Sequence, residues 1–241
     1  MTTPLLEVCV ADAGSLEAAI AGGAQRIELC SSLELGGLTP LPGLMALAAK
    51  APVPVYALVR PRTGDFVYAG ADIDALLADI EAIRAAGLAG VVLGASNADG
   101  TLDEPLLRRL RAGAGELGTT LHRAIDLVPD FARATEIAID LGFERILTSG
   151  GAHTAIEGIT GLRTIYAATH GRIKLMAGSG LNPANVAQLL HAVPIDEIHS
   201  SCASSIPTRG PDAIRLGFAE ATRRQTDAAI VTEMRRALAE G

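Results

Sequence analysis

Leu5-Leu6-Glu7-Val8-Cys9-Val10 and Arg26-Ile27-Glu28-Leu29-Cys30 decide how this chain is read. Both are short apolar runs suited to β-strands, and both carry the same Glu-x-Cys tripeptide. Side chains alternate across a strand, so Glu7 and Cys9 share one face, as do Glu28 and Cys30. Leu6, Val8, Val10, Ile27 and Leu29 point the other way. Two carboxylates and two thiols therefore face one side. Burying them is costly unless they pair, bind something or act chemically.

The same strand-then-helix rhythm continues along the chain. Strands are expected near Leu5–Val10, Arg26–Cys30, Pro54–Arg60, Gly90–Gly94, Thr119–His122, Arg145–Thr148, Lys174–Ala177 and Glu197–Ser200. Between them lie Ala/Leu-rich segments with helical spacing, such as Ile73, Leu76, Leu77, Ile80 and Ile83. Gly22 or Gly23, Gly87 and Gly142 stand just before aliphatic strands and read as helix caps. Eight such units over 241 residues predict an α/β (β/α)8 TIM barrel forming one domain, residues 1–241. The competitor is an open doubly wound sheet. It would want G-x-G-x-x-G after the first strand, and the turn VADAGS has none. Ser201–Pro211 reads as an irregular surface loop. A final helix follows, with an apolar stripe at Ile230, Val231, Met234 and Leu238 that packs on its own barrel or, alternatively, forms a subunit interface.

Bulk properties exclude several classes of function. The chain is 49% hydrophobic but only 3% aromatic, with no Trp, which suits an aliphatic core of helices on strands. A net charge of -7 gives no overall attraction to nucleic acid or anionic lipid. No apolar run approaches the roughly 20 residues that cross a bilayer, and MTTPLLEVCV has no basic start of a leader peptide. Three cysteines, an odd number, make no disulfide framework and suit reduced thiols in the cytoplasm.

In this fold the active site lies at the carboxyl ends of the strands, where the polar residues of this chain concentrate. The candidates are Glu7, Glu28, Arg60, Arg62, Asp65, His122, Arg123, Asp126 and His199. The turns Thr148-Ser149-Gly150-Gly151 and Gly178-Ser179-Gly180 add backbone N–H groups suited to an anion, with Gly150, Gly151, Gly178, Ser179 and Gly180 as the candidates. Such a pocket fits a small polar or anionic ligand. Arginine takes carboxylate or phosphate, and Glu or His supplies acid–base chemistry. The competing reading is structural: Glu7 and Glu28 form buried ion pairs with Arg60, Arg62 or Lys174. Cys9 and Cys30, in register on neighbouring strands, are either core packing or a soft site for Cu(I). Cys202 is a third ligand or none.

The motifs EVCV, RIELC, GGLTP, RPRTGDFVY, LHRAID, RILTSGG and EIHSS together resemble the CutC copper homeostasis proteins, in order and spacing, from Leu5 to Ser201. That resemblance implies a cytoplasmic TIM barrel, a homo-oligomer (commonly a dimer), and a role in copper tolerance with Cu(I) bound by Cys9 and Cys30. Two departures are visible. Leu121 and Ile125 stand where the family often has Phe, which leaves the polar set intact. Leu41 follows Pro40 where a Ser is common, which removes a hydroxyl from the second loop. The resemblance supports copper homeostasis; the Glu/Arg/His array supports an enzyme pocket that copper carriage does not require.

Overall fold

The computed structural model describes residues 3–240. Eight parallel strands pair in chain order, and the eighth closes on the first. They are β1 (Leu5–Val10), β2 (Arg26–Leu29), β3 (Val55–Leu58), β4 (Gly90–Leu93), β5 (Gly118–Leu121), β6 (Arg145–Thr148), β7 (Lys174–Ala177) and β8 (Glu197–Ser200). Between them run α1 (Ala13–Ala21), α2 (Pro42–Ala48), α3 (Ala71–Ala85), α4 (Glu104–Ala114), α5 (Phe131–Asp140), α6 (Ile159–Thr169) and α7 (Val186–Ala192). The chain is thus the expected (β/α)8 barrel, with each strand within about two residues of its expected bounds, the usual uncertainty of element ends. Gly23, Gly87 and Gly142 take φ values of +91°, +77° and +75° at helix ends, the left-handed geometry that a β-carbon disfavours.

Strand parity sorts the core into two. Leu6, Val8, Val10, Ile27, Leu29, Leu121 and Ile198 pack outward under the helices, while Cys30, Tyr56, Leu58 and Val92 cluster inside the barrel. The interior is charged rather than aliphatic. Arg26 bridges Glu7 and Glu197, and Arg145 lies 3.0 Å from Glu144. Arg145 Nε is 3.1 Å from Glu197 but off the N–H axis, so that contact is an ion pair without a hydrogen bond. Tyr56 fills the space between the two guanidiniums, its ring centroid 5.5 Å from Arg26 Cζ and 4.7 Å from Arg145 Cζ. Gly90 and Gly118 leave room for that ring, since a β-carbon at either would collide with it.

At the C-terminal end one expectation changes, and the packing of the final helix agrees with the first of its two expected alternatives. Ser201–Pro211 is not simply an irregular loop: β9 (Ala203–Pro207) pairs antiparallel with β10 (Thr222–Thr226), with α8 (Pro211–Arg215) between them. This arm stands outside the barrel, so its strands carry Ser, Thr and Arg on both faces and lack the apolar alternation that marks a strand in sequence. The closing helix α9 (Ala228–Glu240) buries Val231, Met234 and Leu238 against its own barrel, beside α1, α7 and β1. Those three residues belong to the core, and Ile230 packs against it partly buried. No helix among the described residues is long and apolar enough to cross a membrane.

Candidate functional site

Neighbouring strands bring His199 between two carboxylates. The register places His199 on β8 opposite Glu7 on β1, and Cys9 opposite Glu28 on β2. His199 Nδ1 is 2.8 Å from Glu7 Oε1, and its Nε2 is 3.7 Å from Glu28 Oε2. The two glutamates are held in opposite states. Burial pushes Glu7 up, but the Arg26 guanidinium and the His199 contact outweigh it and hold the carboxyl at about 2. Glu28 is raised by burial and by the charge of Glu7, against the pull of His199. His199 is raised well above the usual histidine value. Burial opposes the charge, yet Cys9, Glu28 and the hydrogen bond to Glu7 favour the imidazolium. Arg26 and His199 thus favour the ionised form of Glu7, while burial works against ionisation of Glu28.

The two thiols have different surroundings, although both neighbour Glu28. Cys9 Sγ, a Glu28 oxygen and a His199 nitrogen all lie within 4.8 Å of one another, a grouping that could hold a metal ion. Barrel shear puts Cys9 beside Glu28 rather than beside Cys30, so the two cysteines are not in register. Cys30 Sγ donates to Glu28 Oε2 at 3.4 Å, and burial together with that carboxylate keeps its thiol well above the usual range. Cys202 is buried in the outer core, and burial pushes it up to about 11.

A cavity of about 610 Å3 opens at the carboxyl ends of the strands, lined by Cys9, Glu28, Arg60, His122 and His199 among others. Arg60 does not pair with either glutamate. It is 7% exposed, and its Nη1 donates to the carbonyls of Leu35 (3.2 Å) and Gly37 (2.9 Å), its Nη2 to that of Gly64 (2.8 Å). His122 Nδ1 accepts from the Ala124 N–H at 3.1 Å, which leaves the ring proton on Nε2. Burial first, then the charge of Arg60, lowers its pKa to about 3, so it stays neutral. Gly94 leaves space for this ring, which a β-carbon there would strike.

Other expected residues are placed elsewhere. Arg62 pairs with Asp65 (3.0 Å) and Asp72 (2.8 Å) on the exposed loop after β3, away from the cavity lining. Lys174 pairs with Asp196 at the surface rather than with a glutamate inside. The Asp126 side chain is largely buried and anchors the loop after β6, accepting from Arg123 Nε (2.7 Å), Ser149 N (3.1 Å) and Gly151 N (3.0 Å). Gly150 N donates to Thr148 Oγ1 at 2.9 Å, so this turn's N–H groups already have acceptors within the chain. Arg123 reaches the cavity edge, held by Asp126 and Ser149. The turn after β7 differs. Ser179, Gly180 and Leu181 line the cavity, and Ser179 and Gly180 have positive φ.

The sequence reading missed Arg26, which favours the ionised form of Glu7, and Glu197 and Arg145, which continue the charge network from it. Parity carried the signal: Arg26 stands two before Glu28, and Glu197 two before His199. Attention to strand ends alone passed over them. Phe66 and Arg224 also line the cavity, from loop and arm positions that no strand pattern reaches.

Fold and site together define a TIM-barrel protein with a charged interior and a polar cavity at the carboxyl end. Residues 4–204 match the model of the CutC family, and the chain belongs to that family. A CutC family protein of Sinorhizobium medicae is 57% identical over 238 residues, 99% of this chain and 97% of the relative. One from Caulobacter vibrioides is 50% identical over 236 residues, 97% of this chain and 96% of the relative. A solved CutC structure from Streptococcus agalactiae, whose name suggests a copper homeostasis role for it, is 26% identical with a TM-score of 0.78, covering 82% of this chain and 98% of that one. The thiamine phosphate pyrophosphorylase of Pyrococcus furiosus, 16% identical with a TM-score of 0.60 over 99% of this chain and 96% of its own, shares the fold alone.

Proposed function

We propose that this protein is a TIM-barrel enzyme that transfers a proton to and from a small anionic substrate. The observation that carries the reading is a histidine fixed at Nδ1 by Glu7 (2.8 Å), with Nε2 turned toward Glu28 at the cavity. Glu7 orients the ring and favours its imidazolium, as a carboxylate does in a general acid–base pair. His199 donates a proton from Nε2. Glu28, whose burial raises its pKa, accepts or returns one. The Gly178 N–H is taken by the Thr148 carbonyl, so Ser179 and Gly180, which line the cavity, are the residues of that turn that offer N–H groups to the substrate's anionic end. A lyase, isomerase or hydrolase step would use the same groups.

The test is solvent deuterium exchange. The protein is incubated in heavy water with a set of small 2-oxo acids and their phosphate esters, and 1H NMR follows loss of the carbon-bound proton. Exchange that vanishes in His199→Gln and Glu28→Gln supports the reading. Absence of exchange in every compound, or exchange unchanged in both variants, overturns it.

A second reading is copper homeostasis, favoured by the grouping of Cys9, Glu28 and His199 and by the name of the Streptococcus agalactiae relative. Cu(I) prefers sulfur, with imidazole an acceptable second donor. Cys9 is then the essential ligand, with Cys30 contributing once its thiol loses its proton. The three free cysteines suit a reducing compartment, and for either reading we take the cytoplasm as the setting.

A further inference from the structure

Arg60 is a buried cation without a carboxylate partner among the described residues, although carboxylates are abundant nearby. Its five N–H donors are unevenly used. Both Nη1 hydrogens meet the carbonyls of Leu35 and Gly37, and one Nη2 hydrogen meets that of Gly64. The N–H on Nε has no partner, and one Nη2 hydrogen is unused. Nε and Nη2 form the side-on edge of the guanidinium, the fork that takes a carboxylate in two parallel hydrogen bonds. The backbone carbonyls fix the orientation of that edge and leave its charge uncompensated.

A second unused donor belongs to the same cluster. With Nδ1 accepting from Ala124, His122 keeps its proton on Nε2, and that nitrogen also has no partner. His122 is 5% exposed. Both residues line the cavity, as does Phe66, whose ring packs on each: its centroid is 5.3 Å from Arg60 Cζ and 4.6 Å from the His122 ring centroid. A buried N–H left unmatched is costly, and more so on a charged group. Two unmatched donors meeting on one aromatic ring point to an acceptor that takes their hydrogens.

We infer that Arg60 and His122 form a carboxylate-binding subsite, reached when the half-buried Phe66 ring swings aside, and that the substrate carries a carboxylate there. One guanidinium charge matches one carboxylate, and a neutral imidazole N–H adds a donor without adding charge. A phosphate dianion would leave a negative charge unbalanced on this side, since Arg123 is already paired with Asp126. This rests on the proton-transfer reading above only for the word substrate; the subsite itself requires no turnover.

The test uses acetate, glycolate and succinate as probes, with inorganic phosphate and methyl phosphate as the competing arm. Binding is followed by 15N-edited NMR of the Arg60 Nε–H and His122 Nε2–H signals and by calorimetry. The carboxylates should shift both signals saturably. Arg60→Gln should weaken binding about tenfold, the equivalent of 1.4 kcal/mol, and His122→Phe severalfold. Arg60 also ties three carbonyls and its variant can unfold, so the wild-type shifts stand as an independent readout. Carboxylate binding that leaves both signals unmoved, no saturable carboxylate binding, or tighter binding of the phosphates would overturn the subsite. His199→Gln and Glu28→Gln should retain carboxylate binding; loss of exchange with binding intact in wild type sinks the proton-transfer reading alone.

Discussion

His199 Nδ1 rests 2.8 Å from Glu7 Oε1, and Glu7 is in turn anchored by Arg26, so one carboxylate joins the site to the barrel interior. Arg26 also reaches Glu197, and Glu197 faces Arg145. The charge of Glu7 at the mouth is therefore tied to a charge network one layer below it. Glu28, a neighbour of the same histidine, lacks such an anchor and has the opposite character.

That contrast separates two isosteric variants. Glu7→Gln strands Arg26 and His199 in a buried setting and should cost about 3–5 kcal/mol, the range for breaking a buried pair from one side. Glu28→Gln removes a carboxyl whose ionisation burial already opposes, and should cost less than about 1 kcal/mol. Urea unfolding of both variants checks this. Equal losses would mean that Glu28 is as deeply paired as Glu7.

The two cavity histidines should act on stability with opposite signs. His122 has a folded pKa of about 3, below its unfolded value. The unfolded chain takes up that proton first, so stability falls as pH drops below about 6.5, by about 1.4 kcal/mol per unit. His199 is raised; its contribution is fully present below about 6.5 and is lost as pH rises through its folded value. Glu7, lowered to about 2 from 4.5, adds a second acid loss that begins only below about 4.5. In pH-dependent unfolding, His122→Gln should remove the loss between about 6.5 and 4.5 and leave the lower one. An unchanged profile would place the acid sensitivity elsewhere.

Asp126 should prove a scaffold for the loop after β6 rather than a reacting group. Asp126→Asn loses acceptor strength toward Ser149, Gly151 and Arg123 and should cost about 3 kcal/mol. Hydrogen exchange at the Ser149 and Gly151 amides should speed up before global unfolding. Protection equal to wild type would show that the loop holds itself.

The cysteines should respond unequally to copper. In anaerobic Cu(I) titration, Cys9→Ser should abolish binding and Cys30→Ser weaken it less, since Cys9 alone joins Glu28 and His199 within 4.8 Å. Equal loss in both variants would restore a two-sulfur site.

Strand positions were legible because period-two alternation places Glu7, Glu28 and His199 inward without knowledge of the fold. Register was not. The offset that sets Cys9 beside Glu28 comes from barrel shear, a property of the closed sheet that no single strand encodes. Arg62 and Asp65 lie beyond the end of β3, where alternation no longer fixes direction, and they turned out to face solvent. For Arg60 the sequence left two roles open, a pocket cation for an anionic ligand or a partner for the glutamates. It pairs with neither glutamate; carbonyls of the neighbouring loops hold it at the cavity, which sequence patterning does not show.

The central claim is that His199 holds an exchangeable proton at the cavity while Glu7 stays ionised. Long-range 1H–15N NMR at pH 7.5 reads the state of both ring nitrogens directly. The account predicts a doubly protonated His199 that becomes neutral, or titrates markedly lower, in Glu7→Gln. A neutral His199 in the wild-type protein at that pH, unmoved by the substitution, would contradict it.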